Sequence, residues 1–470
     1  MHYLKCFVAT SCLSLGFTSA TAAIPKTMTL TPFITGSAAL PLNKPILINE
    51  MPNKPGYYVV LEQHVGKISI FYKVGGNWTK VVMDTVGFAS GVTGQNEMGL
   101  LGIAFHPNFA VNRKYYLTYN PSTTRTYLVE RQADSTFLKR NTSVAQRLLI
   151  AIGKPYTNHN GGTIAFGPND GFLYFGTGDG GSGGDPGNRA QNPDSLQGKF
   201  LRIDVDHPAG GKEYGIPADN PFINAGHAQE VFALGLRNPW RWSFDKVTGN
   251  IWLGHVGQGL WESASLVPKG ANLGWRVIEG NQCYSPATGC SMTGYQLPFL
   301  TYSHDAAANG DSTGNCIIGG YIYRGNPASA FYGLYFYGDN RDNRIWVART
   351  DGVTKQESIL EGVIPGATGQ SEGFTSFGTD LAGNLYAIRR GTNSLTAADG
   401  IIYILGGPDL PLVTTSVRHT GKVFAPALGT GLNVDLHTLQ GRKVSGSATR
   451  NGLYVAKYPG AAATLMPVLK

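Results

Sequence analysis

The chain has 470 residues, of which 42% are hydrophobic and 14% are charged, and its formal net charge is +8. This hydrophobic content is sufficient for a large buried core and excludes a chain that is disordered throughout. The Lys and Arg residues are scattered rather than arranged in a stripe, so the positive charge does not predict nucleic-acid binding.

The first residues have the features of a secretory signal peptide. Met1 to Lys5 carries a positive charge, an apolar run extends to Phe17, and small residues at 20–22 form a candidate cleavage site. We expect residues 1–22 to be removed and the mature protein to be periplasmic or secreted. The apolar run is too short for a membrane-spanning helix, and we find no second candidate of about 20 apolar residues.

Removal of that segment leaves three cysteines, Cys283, Cys290 and Cys316. In an exported protein, the close pair Cys283 and Cys290 is best explained as a disulfide that closes a loop, with Cys316 free or competing for one partner. A zinc site is less favoured, because no Cys-x-x-Cys pair or nearby histidine set accompanies these cysteines.

Composition and turn pattern predict an all-β fold. The chain contains 63 glycines, 23 tyrosines and 21 phenylalanines, whereas long segments with helical periodicity and caps are almost absent. Segments 170–174, 248–252 and 382–386 each place a turn glycine before an aliphatic and an aromatic residue. Units of roughly 60 residues predict a six-bladed β-propeller over residues 23–408, and a β-sandwich with insertions is the alternative.

The sequence changes character after Pro408. Segments 432–436, 440–444 and 451–457 predict three short strands of a small C-terminal β module at residues 412–470. Its Leu-Gln-Gly-Arg and Asn-Gly-Leu-Tyr-Val segments resemble the secretion-sorting modules of Bacteroidetes-type bacteria, although the usual Pro-Asn-Pro opening is missing.

A histidine motif stands at residues 158–162, where His159 lies between two asparagines and is followed by two glycines. The motif precedes a predicted strand, a polar turn and a second strand that ends at Asp179. This arrangement places a proton-transfer group at the rim of a sheet. Imidazole titrates near neutral pH, so His159 is the candidate base; outside a wider context, a structural hydrogen-bonding role is the alternative.

Six motifs follow one another between residues 97 and 280. They are found at residues 97–107, 158–162, 198–204, 235–241, 256–262 and 273–280. In this order they resemble the glucose/sorbosone dehydrogenase family of soluble quinoprotein sugar dehydrogenases, over about residues 45–406. The resemblance implies a six-bladed propeller that binds pyrroloquinoline quinone (PQQ) and calcium and oxidises an aldose-type sugar hydroxyl. The electron acceptor is not implied.

The resemblance also implies roles for individual residues. His159 matches the histidine that takes the hydroxyl proton while hydride passes to the quinone. A guanidinium suits the charge of a reduced quinone, and calcium prefers oxygen ligands such as backbone carbonyls. The implied cofactor-binding residues are Arg237, Asn238, Arg341 and Glu97, the implied substrate-binding residues are Glu262 and Asn158, and the implied calcium ligands are Gly257, Gln258 and Glu262.

The chain departs from the family pattern at two places. Asn158 replaces the carboxylate that precedes the histidine in glucose-oxidising members, and segment 372–377 lacks the arginine pair that binds quinone carboxylates. Whether several positive side chains line one pocket therefore distinguishes two possible functions. The first is a PQQ-dependent dehydrogenase, and the second is a non-redox, calcium-bound propeller that binds glycans or a protein partner. A hydrolytic propeller using Glu97 and Glu262 is a third alternative.

One glycine-rich segment resembles other ligand-binding motifs. Gly176, Gly178 and Gly181 match G-x-G-x-x-G, but the following residues cannot open the helix that would bind a pyrophosphate. The nearby Asp179, Asp185 and Asn188 are candidates for a second calcium ion or for an ordinary turn.

Overall fold

The structure is a computed structural model. It describes residues 28–223, 226–305, 314–341, 343–350, 373–392, 394 and 397–413, and the backbone of the strands at 357–358, 435–438, 452–457 and 464–468. The predicted signal peptide, residues 1–22, lies outside the described residues.

The regular structure is nearly all β-strand, which confirms the all-β part of the predicted fold. The exception in the described part of the chain is a one-turn helix, α1 (Phe109–Asn112), which ends where Arg113 adopts the left-handed conformation. No helix in these residues has the length and apolarity to cross a membrane.

The strands follow one another along the whole described chain. In chain order they are β1 (Thr29–Thr35), β2 (Pro45–Glu50), β3 (Tyr58–Glu62), β4 (Lys67–Val74), β5 (Asn77–Thr85), β6 (Leu100–Phe105), β7 (Lys114–Ser122), β8 (Arg125–Gln132), β9 (Arg147–Gly153), β10 (Gly161–Phe166), β11 (Leu173–Thr177), β12 (Lys199–Ile203), β13 (Val231–Leu234), β14 (Arg241–Phe244), β15 (Ile251–His255), β16 (Trp261–Leu266), β17 (Ile278–Glu279), β18 (Gln282–Cys283), β19 (Leu300–Ser303), β20 (Ile317–Ile322), β21 (Tyr335–Asp339), β22 (Ile345–Ala348), β23 (Glu357–Ser358), β24 (Phe374–Thr379), β25 (Leu385–Arg389), β26 (Ile401–Gly406), β27 (Asp435–Thr438), β28 (Gly452–Lys457) and β29 (Thr464–Val468).

Most strands form consecutive four-stranded antiparallel groups. Four of these groups are separate sheets, namely β6–β9, β10–β13, β14–β16 with β19, and β20–β23. The strands β2–β5 and the set β24–β26 with β1 form one eight-stranded sheet, in which a parallel pair, Asn49 and Thr379, joins the two halves. Because β1 pairs with β26, the N-terminal strand completes a group that the last strands of this region begin.

The first strands of successive groups lie beside one another. β6 contacts β10, β14 contacts both β10 and β20, and β24 contacts both β20 and β2. Arg241 of β14 lies where these strands meet. Its guanidinium donates to the carbonyl oxygen of Ile46 at 2.9 Å and to the hydroxyls of Thr163 at 2.9 Å and Ser376 at 3.0 Å. One side chain therefore bonds three other first strands, so these strands converge on a common centre.

The hydrophobic core is divided among the spaces between neighbouring groups. Tyr116 and Leu128 of one group pack with Ile164 and Phe175 of the next, and all four side chains are buried. Burial of each such side chain contributes roughly 1.5–3 kcal/mol. A β-sandwich would enclose one core between two sheets, so this arrangement does not match the sandwich alternative.

The last three strands, β27, β28 and β29, form a separate antiparallel sheet. Two of them overlap the predicted strands at 432–436 and 451–457, whereas the predicted strand at 440–444 lies outside the described residues. β29 was not predicted. The assignment of residues 412–470 as a sorting module stays a prediction.

The disulfide prediction is confirmed. Cys283 of β18 is bonded to Cys290, and Cys316 is a free cysteine.

Candidate functional site

A cavity of about 390 Å³ lies at one end of the converging first strands. Small-ligand pockets typically enclose roughly 300–1,000 Å³. The lining includes Ile46 of β2, Ile318 of β20 and Thr375 of β24, together with residues of the loops that precede or follow the strands. Of the residues to which the sequence assigned roles, the lining contains Glu97, Asn158, His159, Arg237, Asn238, Gly257 and Gln258.

His159 lies in the loop before β10 with only 4% of its surface exposed. Its φ angle of 52° is in the left-handed region, which residues other than glycine rarely adopt. Its N–H donates to Glu97 Oε2 at 2.6 Å, and its carbonyl oxygen accepts from Lys154 Nζ at 3.4 Å. A Cβ atom on Gly178 would lie 2.0 Å from that carbonyl oxygen, so glycine is required there. These contacts hold a strained residue in place, as is common at functional sites.

Asp179 orients the imidazole ring of His159. Nδ1 of His159 lies 2.7 Å from Oδ1 of Asp179, whose side chain is fully buried. The carboxylate also accepts from the N–H of Gly181 at 2.9 Å and from Trp275 Nε1 at 2.8 Å. A carboxylate only accepts hydrogen bonds, so we infer that Nδ1 carries a hydrogen; in the neutral imidazole, the lone pair then lies on Nε2. An imidazole in this state is ready to accept a proton.

No sequence motif paired Asp179 with His159. A signal was nevertheless present, because β10 and β11 are antiparallel neighbours and pair Gly161 with Thr177. Residues just before β10 and just after β11 therefore lie at the same edge of the sheet. A hairpin between the two predicted strands would have brought the histidine and the aspartate together.

Arg237 and Asn238 are held at the cavity by the neighbouring loops. The N–H of Arg237 donates to His255 Nε2 at 2.7 Å, and its Nε donates to Gln258 Oε1 at 3.1 Å. Oδ1 of Asn238 accepts from the N–H of Gly161 at 3.1 Å. Arg237 is 7% exposed and has no carboxylate within ion-pair distance in the described part of the chain. It therefore presents an uncompensated positive charge beside the cavity.

Residues Gly257 to Trp261 form a loop around the carboxylate of Glu279. Oε1 of Glu279 accepts from the N–H groups of Gln258 at 2.6 Å, Gly259 at 2.8 Å, Leu260 at 3.0 Å and Trp261 at 3.1 Å. A Cβ atom on Gly257 would lie 1.8 Å from the carbonyl oxygen of Trp261, so this loop requires a glycine there. The sequence motif contained Glu279 but assigned no role to it.

Glu262 supports the same loop and does not line the cavity. It is fully buried, and its carboxylate accepts from the N–H of Gly257 at 3.2 Å, from His304 Nε2 at 2.8 Å and from the N–H of Ile317 at 3.0 Å. Burial raises the pKa of Glu262. Its oxygens are thus engaged by protein donors, and its roles as a substrate-binding residue and a calcium ligand stay predictions.

The positions of two arginines relative to the cavity differ from those expected from the sequence. The side chain of Arg341 is exposed and does not line the cavity, whereas the preceding residue, Asn340, does. Arg390, directly after β25, lines the cavity instead and is 6% exposed. It lies outside every motif of the sequence analysis. The pair Arg389-Arg390 at the end of a strand was the available signal.

Protonation of His64 is predicted to make the stability of the folded protein depend on pH. Burial, followed by the nearby charge of Arg390, lowers the pKa of His64 to about 4. The unfolded chain binds a proton below pH 6.5, but the folded protein does so only near pH 4, so stability falls as the pH falls through this window. The loss is about 2 kcal/mol at pH 5. In urea unfolding at pH 7 and pH 5, His64→Gln should lose correspondingly less stability than the wild type; equal losses would contradict this origin.

The described residues contain no group of three or more His, Cys, Asp or Glu side chains that could hold a metal ion. In the candidate second calcium loop, Asp179 is bonded to His159 and Trp275, and Oδ2 of Asp185 accepts from the N–H of Ala190 at 2.8 Å. The ammonium group of Lys199 donates to three carbonyl oxygens of the same region, those of Arg189, Ala190 and Gln197. A lysine thus occupies carbonyl oxygens that a cation would use.

The fold is similar to that of solved aldose sugar dehydrogenases. The PQQ-bound aldose sugar dehydrogenase from Streptomyces coelicolor aligns with a TM-score of 0.58 and 25% identity, over 82% of this chain and 99% of that chain. The family model for Glucose / Sorbosone dehydrogenase matches residues 42–365. The chain therefore belongs to the glucose/sorbosone dehydrogenase family, which confirms the resemblance found in the motifs.

Two curated relatives have other names. The HIPL1 protein of Arabidopsis thaliana is 33% identical over 364 residues, which cover 62% of this chain and 52% of the relative. The human Hedgehog-interacting protein is 28% identical over 351 residues, which cover 70% of this chain and 46% of the relative. The chain thus spans about half the length of these relatives.

Proposed function

We propose that the chain is an exported, PQQ-dependent dehydrogenase that oxidises an aldose-type sugar hydroxyl. The observation that carries the proposal is the His159–Asp179 pair, with His159 lining a cavity that also contains Arg237. In this proposal the six four-stranded groups are the blades of a propeller, and the cavity lies on its axis. The disulfide supports export, because such bonds persist in oxidising compartments.

The residues present fit a quinone that carries carboxylate groups. Arg237 and Arg390 both line the cavity, both are more than nine-tenths buried, and neither has an ion-pair partner in the described residues. A buried, unpaired cation is costly, and an anionic ligand would compensate it. Arg237 and Asn238 would hold the quinone, with Glu97 fixing the backbone of His159 beside it.

The chemistry requires a hydride acceptor and a base. When bound, PQQ would be the two-electron acceptor for the hydride removed from a C–H bond of the sugar. The protein supplies the base: Nε2 of His159 accepts the proton of the hydroxyl group on that carbon, which becomes a carbonyl group. Asp179 then stabilises the imidazolium ion through the Nδ1 hydrogen bond. The charge of Arg237 favours an electron-rich ligand in the cavity.

A calcium ion is a separate part of the proposal. Gly257 and Gln258 line the cavity, but Gln258 Oε1 already accepts from Arg237 Nε and from the N–H of Gly184. The carboxylates of Glu262 and Glu279 are also engaged by protein donors. Calcium takes about 6–8 oxygen ligands. An ion here would therefore depend on backbone carbonyls and on oxygens of the bound ligand.

A second candidate function is a calcium-bound propeller that binds a glycan or a protein partner without redox chemistry. The similarity to a Hedgehog-interacting protein favours it, because that relative is named for a protein partner.

The test is a titration of the purified full chain with PQQ, with and without calcium, followed by quinone absorbance. Reduction of an artificial electron-acceptor dye is then measured with a panel of aldoses. We expect stoichiometric PQQ binding and sugar-dependent dye reduction that His159→Ala abolishes. His106→Ala is the matched control, because His106 is equally buried and pairs with Asp206 but does not line the cavity. Absence of PQQ binding at micromolar concentrations would reject the dehydrogenase in favour of the binding propeller.

A further inference from the structure

Arg390 is a buried cation with one unpartnered hydrogen-bond donor atom, Nε. Its Nη1 donates to Asn96 Oδ1, and its Nη2 donates to His64 Nε2 at 3.0 Å and to the carbonyl oxygen of Asn96 at 3.3 Å. Nε is buried and has no hydrogen-bond partner. All of these partners are uncharged, because burial and Arg390 itself lower the pKa of His64 to about 4. No carboxylate of the described residues lies within ion-pair distance of Arg390.

The partners of Arg390 are themselves held in place. Nε2 of Gln63 donates to the carbonyl oxygens of Asn96 at 3.1 Å and Met98 at 2.9 Å. Gln63, Asn96 and Arg390 all line the cavity. The guanidinium is therefore positioned by a fixed loop rather than by a flexible contact.

The charge of the cavity lining favours an anion. The charged side chains among the described lining residues are Arg237, Arg390 and Glu97. The carboxylate of Glu97 accepts a hydrogen bond from the N–H of His159 and so holds the backbone of the candidate base. A guanidinium with free N–H groups binds carboxylates strongly, since it offers charge-assisted and bidentate hydrogen bonds.

We propose that Arg390, supported by Gln63 and Asn96, forms a carboxylate-binding subsite of the cavity. This inference rests on the proposed function for the identity of its ligand. The carboxylate belongs either to the quinone cofactor or to an acidic sugar such as a uronate. The subsite replaces the role that the sequence analysis assigned to Arg341, and it supplies the convergent positive charge that segment 372–377 lacks.

The experiment measures PQQ binding by the purified full chain and its Arg390→Gln, Arg390→Lys and Arg341→Gln variants. We expect the dissociation constant of PQQ to rise at least 10-fold in Arg390→Gln, less in Arg390→Lys, and less than 2-fold in Arg341→Gln, whose side chain is exposed. The trimethyl ester of PQQ lacks the carboxylate charges. It should bind the wild type at least 10-fold more weakly than PQQ, and Arg390→Gln should weaken it little further.

The second arm compares D-glucuronate with D-glucose as substrates. If the substrate supplies the carboxylate, PQQ binding is unchanged in Arg390→Gln, while the KM for D-glucuronate rises at least 10-fold and that for D-glucose does not. Unchanged PQQ affinity together with unchanged KM values would overturn the subsite.

The outcomes separate the subsite from the proposed function. If the wild type binds no PQQ, the dehydrogenase proposal fails, and the subsite is judged by the melting temperature of the apoprotein with D-glucuronate or D-glucose. A stabilisation by D-glucuronate that is absent with D-glucose and lost in Arg390→Gln supports the subsite. Equal melting temperatures with both sugars reject it as well. Circular dichroism at 20 °C shows whether each variant is folded. A loss of ligand binding in a folded Arg390→Gln protein that is smaller in Arg390→Lys reflects the loss of charge.

Discussion

Replacement of Asp179 by asparagine is expected to lower the rate of sugar-dependent dye reduction by about 10²–10⁴-fold. Three donors, His159 Nδ1, the N–H of Gly181 and Trp275 Nε1, share the two oxygens of Asp179. Asparagine keeps one of these oxygens and places an NH2 group among the donors. Nδ1 then loses its acceptor, and the hydrogen moves to Nε2, where it blocks proton abstraction. The imidazolium ion also loses its neighbouring negative charge.

The measurement is kcat in the dye assay across a range of pH, with PQQ affinity determined in parallel. Asp179 does not line the cavity, so PQQ affinity should change little. The control is Asp206→Asn, which alters the carboxylate that faces His106 at 3.0 Å, away from the cavity. If Asp179→Asn keeps the wild-type kcat while remaining folded, Asp179 is not a positioning residue for His159.

Replacement of Glu279 by alanine is expected to cost about 3 kcal/mol of unfolding free energy, because four hydrogen bonds to a carboxylate are lost and each such bond contributes about 1.5–3 kcal/mol. Four consecutive N–H groups converge on Oε1 of Glu279, whose side chain is buried. Water can satisfy part of this demand, which is why the expected loss is below the sum over four groups.

The measurement is urea unfolding of Glu279→Ala, Glu279→Gln and the wild type. Glu279→Gln keeps one acceptor oxygen and should lose about 1–2 kcal/mol, less than the alanine variant. Gly257 and Gln258 belong to the same loop and line the cavity, so the alanine variant should also bind PQQ more weakly. A Glu279→Ala protein as stable as the wild type would show that the loop does not depend on this carboxylate.

Several features of the protein were accessible from the sequence. The six ordered motifs identified the family, and the abundance of glycine and aromatic residues with little helical periodicity predicted the fold class. The spacing of Cys283 and Cys290 predicted the disulfide. Each of these features is local, or is a series of local patterns, so a linear reading can detect it. The residue roles inferred from the resemblance stay proposals.

The pairing of distant residues required the tertiary structure. Arg390 meets His64 and Asn96 across more than 290 positions of the chain, because β1 and β2 close against the last strands of the same eight-stranded sheet. No local pattern encodes such a contact. Glu279 likewise receives N–H groups from a loop about 20 positions earlier, through a turn whose geometry depends on Gly257.

The sequence by itself determined the all-β class, the family and the candidate base, because these depend on residue order. Only the tertiary structure decided which charged groups face the cavity. Asn340 lines the cavity while the adjacent Arg341 is exposed. Asn340 and Arg341 both lie in the turn after β21, so the conformation of that turn, which residue order alone does not reveal, decides which of them lines the cavity. Arg390 likewise directly follows a strand, β25, and lines the cavity from there.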